Sequence, residues 1–553
     1  YVSRNGNTSS RESTTSKQTP QVDVIVVGAG FAGMYMIHRL RELGLSIRAF
    51  EAGSDVGGTW YWNRYPGARC DVPSIEYSFS FDKELEQEWN WSEVMASQEE
   101  ILVYANHIAE RHDIRRDITF DTRVTKMEFD ETRDNWLVET DGGESLRTHY
   151  CVMATGCLSM PNKPPIAGDK DFQGEVYHTG TWPKEGADFV GKTVGIIGTG
   201  SSGVQAIPVI AESAEKLVVF QRTPVYTLPA FNRPLSDKYR NEVKASYADI
   251  RKMQRESPVG ISSFGARAVA QVPVPKKIVE LSPEERQAEL ARTGFSGLRT
   301  YADVLTDLSA NEIACDLYRE KIEEIIDNPE TAEGLKPHGY PIGCKRQVFD
   351  SNYYATFNRE NVTLVDLRKG GIKRITATGV QTDQGLFDVD VLVYATGFDA
   401  MTGALKRIDI RGRGGRCLTD KWVDGPRAYL GLQMAGFPNL FTITGPGSPS
   451  VLSNMLVAIE QHVDWIRDCL EHLETERIET IEPTVDAEDQ WVDHVNEVGQ
   501  GTMFTAPTCN SWYLGANIVG KPRVFMPYVG GIHRYRAKCE AVVANNYEGF
   551  KLE

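Results

Sequence analysis

The stretch VIVVGAGFAG, residues 24–33, decides the fold of this chain. Its apolar start is typical of a buried strand, and a helical pattern follows its last glycine. Glycines at 28, 30 and 33 let backbone N–H groups approach a pyrophosphate at the N-terminus of that helix. The stretch therefore predicts a strand–turn–helix unit that binds a dinucleotide.

A second unit of the same kind lies further along the chain. Residues 194–203 read VGIIGTGSSG, with glycines at 198, 200 and 203. Two dinucleotides in one polypeptide suggest that electrons pass from one to the other. The sequence thus predicts an α/β protein with two Rossmann-like dinucleotide-binding domains.

The strands that follow the two predicted helices end differently. The first ends in Glu51, an acid that accepts hydrogen bonds from a ribose 2′-hydroxyl and repels a 2′-phosphate, so we expect FAD there. The second ends in Gln221 and Arg222, and a guanidinium matches a phosphate. NADPH is favoured over NADH in the second unit, with a surface role for Arg222 as the alternative.

Composition excludes several classes of partner. The formal net charge of -16 repels nucleic acid. The longest apolar run, residues 24–37, is too short and glycine-rich to cross a membrane, and no secretory signal is recognisable. Nine cysteines without a CxxC pair favour reduced, mostly buried thiols and disfavour a disulfide reductase. We expect a cytoplasmic protein that is a monomer or a weak homo-oligomer.

Two runs that end in Ala-Thr-Gly, at 154–156 and 395–397, predict crossings between the domains. We expect an FAD domain built from residues 21–157 and 398–553 and an NADP domain at 158–397. Residues 233–340 are rich in charge and helical pattern, which predicts a helical insertion in the NADP domain with a solvated surface. Residues 1–20 are polar and predict a disordered tail.

A third string, FQGEVYHTGTWP at residues 172–183, separates the two glycine motifs. It fits FxGxxxHTxxWP, and the chain resembles the type I Baeyer–Villiger monooxygenases, among them the phenylacetone and steroid monooxygenases. The stretches 57–71, 343–346, 445–449 and 511–517 extend the resemblance to nearly the whole chain from about residue 22. Related N- and S-oxygenating flavin monooxygenases usually differ at the positions of Thr179 and Trp182.

The resemblance implies an NADPH- and O2-dependent conversion of a ketone to an ester or lactone through a C4a-peroxyflavin. That species must stay anionic, and a fixed cation in a dry site keeps it so. The resemblance puts Arg346 in this role and Asp71 beside it as the carboxylate partner, with a turn cap as the alternative for Asp71. It implies bulky hydrophobic, aryl, cyclic or steroid ketones, with sulfoxidation as a side activity. No His or Cys stands where a covalent link to the flavin would be obvious, so we expect non-covalent FAD.

The resemblance also implies the other site residues. For FAD they are Gly28, Gly30, Phe31, Ala32, Gly33, Glu51, Gly58, Thr59, Trp60, Asn63, Asp71, Tyr77, Val124 and Met455. For NADP they are Arg69, Cys70, Gly198, Thr199, Gly200, Ser201, Ser202, Gly203, Arg222, Thr223, Lys345, Arg346 and Trp512, with Lys345 on the 2′-phosphate and Trp512 on a closing loop. The substrate pocket comprises Ser450, Val451, Leu452 and Met455.

Simpler interpretations stay open for several of these residues. Trp60 and the four pocket residues also suit ordinary core packing, and His178 suits a structural tie near the domain junction better than a catalytic base. Cys157 stands where related enzymes often have a longer polar residue. For the whole chain the alternatives are an N- or S-oxygenating flavin monooxygenase and a flavoprotein redox sensor or scaffold.

Overall fold

The computed structural model describes residues 19–269 and 274–553. The predicted N-terminal tail lies outside the described residues except for its last two. The strands are β1 Gln21–Val27, β2 Ile47–Phe50, β3 Ile118–Thr119, β4 Val124–Asp130, β5 Asn135–Thr140, β6 Ser145–Met153, β7 Glu175–His178, β8 Thr193–Ile197, β9 Lys216–Gln221, β10 Thr227–Pro229, β11 Val348–Asp350, β12 Val362–Asp366, β13 Ile372–Ile375, β14 Gly379–Thr382, β15 Gly385–Asp388, β16 Val391–Tyr394, β17 Asp409–Arg411, β18 Leu440–Thr442, β19 Ile481–Pro483 and β20 Phe550–Leu552.

The helices connect and cover these strands. They are α1 Phe31–Arg41, α2 Thr59–Trp62, α3 Lys83–Glu88, α4 Gln98–Arg111, α5 Ser201–Ser213, α6 Asp237–Glu256, α7 Ser263–Ala268, α8 Pro283–Thr293, α9 Phe295–Leu298, α10 Leu308–Ile325, α11 Pro329–Leu335, α12 Tyr353–Thr356, α13 Gly403–Lys406, α14 Leu418–Lys421, α15 Met455–Glu476, α16 Val485–Gly499 and α17 Ile532–Ala544. Among the described residues, none of these helices combines the length and apolar character that crossing a bilayer requires.

The larger sheet is built around the first glycine motif. Strand β1, whose residues 24–27 are buried, pairs in parallel with β2 on one side and β6 on the other. The strand order is β17-β4-β5-β6-β1-β2-β3, and β18 also pairs with β6. The chain therefore leaves this sheet after β6 and returns to it at β17. A discontinuous FAD domain requires this path, and its residue bounds stay a prediction.

The second glycine motif is at the centre of a separate sheet. Its strand order is β12-β9-β8-β16-β7, and each recorded pairing is parallel. Strand β8 leads through the glycine turn into α5, as β1 leads into α1. Both turns lie at the carboxyl ends of their parallel strands, where open α/β sheets bind ligands.

The helices of the predicted insertion pack into two different hydrophobic cores. Helices α8 and α10 pack with the second sheet, but Val243 and Ile250 of α6 pack into the core of the first. The expectation that the charges of this segment are solvated is wrong for Arg251, which is buried and donates from Nε to Glu86 Oε1 at 2.7 Å. This ion pair, with each side chain 3% exposed, fixes α6 to the first domain.

Candidate active site

The first glycine turn packs directly on the end of β6. Gly28 has a φ of +105°, and a Cβ at this position would overlap the carbonyl oxygen of Ala154. Only glycine fits this close approach. The run that ends in Ala-Thr-Gly at 154–156 thus lies under the turn, and Gly28, Ala154 and Gly156 line one cavity.

Glu51 directly follows β2 and is hydrogen-bonded to the same glycine turn. Its Oε2 accepts a hydrogen bond from the Ala29 N–H at 2.8 Å, and its Oε1 accepts one from the Gly53 N–H at 2.7 Å. Burial raises the pKa of Glu51, although these two donors oppose the shift. The carboxylate lines the cavity and can accept further hydrogen bonds, so it suits the hydroxyl groups of a ribose.

The cavity has a volume of about 420 Å³ and lies between the first glycine turn, the start of α5 and Arg346. It brings together most residues predicted for FAD, namely Gly28, Gly30, Phe31, Ala32, Glu51, Gly58, Thr59, Trp60, Asn63, Asp71, Tyr77, Val124 and Met455. Arg69, Cys70, Ser201, Ser202, Arg346 and Val451 from the other predicted sets also line it.

The remaining predicted residues lie outside the wall of this cavity. They are Gly33, Gly198, Thr199, Gly200, Gly203, Arg222, Thr223, Lys345, Ser450, Leu452 and Trp512. Several of them form the second glycine turn, where a Cβ at Gly200 would meet open space. The Thr199 hydroxyl donates to the Thr223 carbonyl at 3.2 Å and fixes the loop after Arg222. The start of α5 therefore has room for a pyrophosphate.

Lys345 and Arg222 form a pocket of uncompensated positive charge. Lys345 Nζ lies 4.0 Å from the centre of the Tyr340 ring. Burial and the charge of Arg222 lower the pKa of Lys345 to about 8. Within residues 19–269 and 274–553, neither cation has a carboxylate partner among the recorded ion pairs. Two unpaired cations close together fit a bound phosphate.

Arg346 and Asp71 come together from the two domains. Arg346 donates to Asp71 Oδ2 from Nη2 at 2.6 Å and from Nε at 3.0 Å. Its Nη1 donates to the Val451 carbonyl at 2.8 Å. Desolvation opposes the charge on Arg346, but Asp71 and Tyr513 outweigh it, and the pKa of Arg346 is raised. The guanidinium is a permanent cation at the cavity wall.

Tyr513 and the Val451 carbonyl are parts of this site that the sequence analysis missed. Tyr513 is buried beside Arg346, and the Trp512 ring packs on it with 4.3 Å between ring centres. Trp512 and Tyr513 both belong to the stretch 511–517 that carries the family resemblance. The resemblance that pointed to Trp512 could therefore have pointed to Tyr513 as well. The backbone carbonyl of Val451 carries no such signal.

The expectation of reduced thiols throughout is wrong for one pair of cysteines. Cys344, which precedes Lys345, is joined by a disulfide to Cys509 on the C-terminal loop, 165 positions away. The other cysteines are free thiols, and all but Cys417 are buried. Because the paired cysteines are so far apart in sequence, spacing alone gave no sign of the pair. The disulfide ties the Arg346 segment to the loop that carries Tyr513.

The stretch that contains Asp71 also contacts α5 of the second domain. The Tyr65 hydroxyl donates to Gln205 Oε1 at 2.7 Å, and Gln205 Nε2 donates to the Arg69 carbonyl at 3.1 Å. Arg69 itself pairs with Glu93 and donates to the Met95 carbonyl. Arg69 therefore lines the cavity with a guanidinium that already has partners.

His178 of the third motif connects the two segments that cross between the domains. Its Nδ1 accepts the Gly180 N–H at 2.9 Å, and its Nε2 lies 3.2 Å from the Asn162 carbonyl and 3.3 Å from Thr396 Oγ1. Burial lowers the pKa of His178. It does not line the cavity, whereas Gly180 does. This geometry suits a structural tie.

Another part of the cavity wall comes from the turn that begins at Thr444. Cys157 Sγ lies 3.3 Å from the Thr444 carbonyl and 3.1 Å from Ser450 Oγ, so the thiol bridges both ends of the turn. Burial raises the pKa of Cys157. Ser450 Oγ in turn lies 4.0 Å from Met455 Sδ. The four residues predicted for the substrate pocket are thus neighbours, and Val451 and Met455 face the cavity.

Comparison with known proteins supplies independent evidence. Residues 22–263 match a family model described as pyridine nucleotide-disulphide oxidoreductase. A Baeyer–Villiger monooxygenase of Pseudooceanicola batsensis is 42% identical over 95% of this chain and 95% of its own length. A phenazine N-monooxygenase of Lysobacter antibioticus is 41% identical over 96% of this chain and 97% of its own length.

A solved structure agrees with these relatives. An oxidized steroid monooxygenase bound to NADP superposes with a TM-score of 0.88 at 49% identity, covering 96% of this chain and 99% of that one. The similarity extends over both sheets and the C-terminal loop. It confirms the predicted fold class, an α/β protein with two dinucleotide-binding domains.

Proposed function

The chain belongs to the Baeyer–Villiger monooxygenases, as its sequence motifs predicted, and from this membership we propose how its residues perform the reaction. The enzyme uses NADPH and O2 to insert one oxygen atom beside a ketone carbonyl. A ketone, O2, NADPH and a proton give an ester or lactone, NADP and water. Non-covalent FAD in the first domain supplies the redox chemistry that activates O2, and NADPH supplies the hydride.

The observation that carries the proposal is the Arg346–Asp71 pair at the cavity wall. A guanidinium has five N–H groups, and Asp71 and Val451 occupy three of them. Tyr513 also accepts a hydrogen bond from the guanidinium, so one N–H of Arg346 is left to bind negative charge. The pair therefore presents a fixed cation with a free donor to the space where the ketone reacts.

Arg346 acts on the oxygen atoms that gain charge during the reaction. When an anionic oxygen attacks the ketone carbon, the carbonyl oxygen becomes an alkoxide, which the free N–H of Arg346 stabilises. One such donor in a site that excludes water is typically worth about 3 kcal/mol. Asp71 holds the guanidinium in place, and Tyr513 on the C-terminal loop accepts a hydrogen bond from it.

Arg222 and Lys345 select NADPH. The 2′-phosphate distinguishes NADPH from NADH, and these two unpaired cations provide the charge that it needs. Ser201 and Ser202 open helix α5 at the cavity, where the helix N-terminus attracts the pyrophosphate. Glu51 holds the ribose of FAD in the first domain.

The cavity wall indicates the class of substrate. Val72, Val451, Met455 and Ile459 are apolar residues in the wall of the cavity that Arg346 also lines. We expect a bulky hydrophobic ketone of aryl, cyclic or steroid type to bind there, because burying apolar area contributes about 25 cal/mol per Å². Organic sulfides of similar shape fit the same surface, so sulfoxidation is an expected side activity.

An N-oxygenating activity is the second candidate, because one of the similar relatives is a phenazine N-monooxygenase. An amine or a sulfide attacks the oxygen directly and leaves no alkoxide to stabilise. In that chemistry no developing oxyanion needs the free N–H of Arg346. The Arg346–Asp71 pair therefore favours ketone oxidation.

A substrate panel tests the proposal. NADPH consumption and products are measured with ketones of the three types, tertiary amines and aryl sulfides. Ester or lactone from at least one ketone, at a yield near one per NADPH, is the expected result. Oxygenation of amines together with no ester from any ketone would replace the proposal with the second candidate.

We also propose that the enzyme works in the cytoplasm as a monomer or weak homo-oligomer and binds no nucleic acid. The net charge of -16 supports the last point, since phosphate backbones are repelled. Light scattering coupled to gel filtration, compared with a chain mass of 61.7 kDa, measures the oligomeric state. A stable tetramer would contradict this part.

A further inference from the structure

His462 lies in the middle of helix α15 and is fully buried, yet the proposed reaction does not use it directly. Its Nδ1 accepts the backbone N–H of Thr444 at 2.8 Å. Its Nε2 lies 2.8 Å from the hydroxyl oxygen of Tyr535 in α17. That hydroxyl donates to the Leu430 carbonyl at 2.5 Å. The imidazole thus connects the turn at Thr444 to two other segments of the first domain.

The hydrogen atoms in this chain of bonds have one consistent arrangement. The Thr444 N–H can only donate, so Nδ1 of His462 carries no proton. Tyr535 uses its single hydroxyl hydrogen on the Leu430 carbonyl, which can only accept. The Tyr535 oxygen therefore accepts from Nε2 of His462, which carries the proton. A doubly protonated ring would direct an N–H at the N–H of Thr444, and burial agrees by lowering the pKa of His462 to about 3.

The turn that His462 holds is strained at both ends. Thr444 has a φ of +56° and Ser450 a φ of +35°, in the left-handed region that residues other than glycine seldom adopt. Such a backbone persists only when its surroundings restrain it. Residues 444–451 are restrained by Cys157 on one side and by His462 on the other.

This turn leads directly to Arg346. Val451 follows the strained Ser450. Its carbonyl accepts a hydrogen bond from Nη1 of Arg346 at 2.8 Å. Thr444 and Val451 both line the cavity. A shift at Thr444 would therefore move the carbonyl that, together with Asp71, sets the orientation of the guanidinium.

We propose that His462 is a positioning residue for oxygenation. By accepting the Thr444 N–H it fixes the turn 444–450, and through the Val451 carbonyl it fixes the direction in which Arg346 presents its free N–H. The inference deepens the proposed function and rests on the role of Arg346 there. It assigns His462 no contact with substrate.

Two substitutions separate this role from simple packing. In His462→Asn, the Oδ1 atom takes the place of Nδ1 and can still accept from Thr444. In His462→Gln, the Nε2 atom takes the place of the ring Nε2 and can still donate to Tyr535, but the Thr444 N–H loses its acceptor. Packing alone predicts that the shorter Asn is the more damaging, whereas our proposal predicts the opposite.

The measurement is ester formed per NADPH consumed at saturating NADPH, with hydrogen peroxide assayed in parallel. His462→Gln is expected to lose ester yield by about tenfold, as for one unpaired buried donor, and His462→Asn by no more than about twofold. The visible absorption spectrum of the bound flavin, recorded with and without NADP, is the second readout. It should change more in the Gln variant than in the Asn variant.

A tyrosine pair keeps the test decisive if either His462 variant fails to fold. Tyr535→Phe removes the acceptor of the His462 Nε2–H and should lower ester yield by about threefold. Tyr150→Phe removes another tyrosine hydrogen bond to α15, from the buried Tyr150 to the exposed Glu474 at 2.9 Å. Glu474 lies roughly 18 Å further along α15, twelve residues on, so ester yield should not change.

Each outcome supports or overturns the inference. Equal yields for the Asn and Gln variants, or equal losses for Tyr535→Phe and Tyr150→Phe, would overturn it. If the unmodified enzyme makes no ester from any ketone, the proposed function fails instead. If that enzyme makes ester normally and the His462 and Tyr535 variants do so as well, only the positioning role fails.

Discussion

Asp71 and Arg346 are 275 positions apart in the chain, yet Nη2 of Arg346 lies 2.6 Å from Oδ2 of Asp71. Asp71 is the last residue of the stretch 57–71 in the first domain. Arg346 lies shortly before β11, in the part of the chain that belongs to the second domain. The pair can form only when the two domains meet across the cavity. The cation site is therefore built from both domains, one of which supplies the carboxylate and the other the guanidinium.

Asp71→Ala should impair coupling through Arg346. Without its carboxylate partner the guanidinium is free to turn away, so part of the consumed NADPH should yield hydrogen peroxide. The loss of ester yield should be smaller than that of Arg346→Ala. Because both side chains are about a quarter to a third exposed, the free energy of unfolding should change by less than about 1 kcal/mol. A loss of ester larger than in the Arg346 variant would contradict the order of their roles.

Arg222→Ala should reduce the preference for NADPH. Removing one charged partner of the 2′-phosphate costs about 2 kcal/mol, or about thirtyfold in the Michaelis constant for NADPH. The constant for NADH should change little. Steady-state kinetics with both cofactors check this, with the exposed Arg416→Ala as the matched control. Equal effects on NADPH and NADH would remove Arg222 from the phosphate site.

Binding of NADPH should weaken as the pH rises past 8. The pKa of Lys345 is lowered to about 8, so the free enzyme carries the ammonium below that pH and loses it above. The bound phosphate keeps the lysine protonated, and binding above pH 8 must therefore take up a proton. The dissociation constant for NADP should rise by up to about tenfold from pH 7 to pH 9. In Lys345→Met the profile should be flat, and an unchanged slope in that variant would show that another group titrates.

FAD should be released without breaking a covalent bond. Acid precipitation is expected to leave the yellow colour in the supernatant. Glu51→Gln should weaken FAD binding about thirtyfold, because an amide replaces a carboxylate oxygen that accepts from the Ala29 or Gly53 N–H. Equilibrium dialysis measures this, with the exposed Glu99→Gln as the control. Colour that remains in the pellet, or unchanged FAD affinity in the Glu51 variant, would oppose this account.

The parts of the site that are local in sequence could be predicted from it. The two glycine turns and Glu51 depend on a strand, a turn and a helix in succession, so a short stretch contains the whole signal. Arg346 and Asp71 required the resemblance to a family, since nothing in the spacing of two residues so far apart predicts their contact. Their roles stay predictions until the variants are measured.

Other features left no trace that the sequence analysis could use. The Val451 carbonyl acts through its backbone, which any residue offers. Arg251 lies in a charged segment typical of a solvated helix, and its burial depends on Glu86 in another part of the chain. Cys344 and Cys509 meet only because the C-terminal loop folds back on the Arg346 segment.

The most direct test of the central claim is the yield of ester per NADPH consumed by Arg346→Ala. At saturating NADPH the variant should still oxidise the cofactor, release hydrogen peroxide and form at least about a hundredfold less ester, because one oxyanion donor is worth about 3 kcal/mol. Arg346→Lys keeps the charge without the forked donors and should recover part of the yield. A near-normal ester yield from Arg346→Ala would contradict the account.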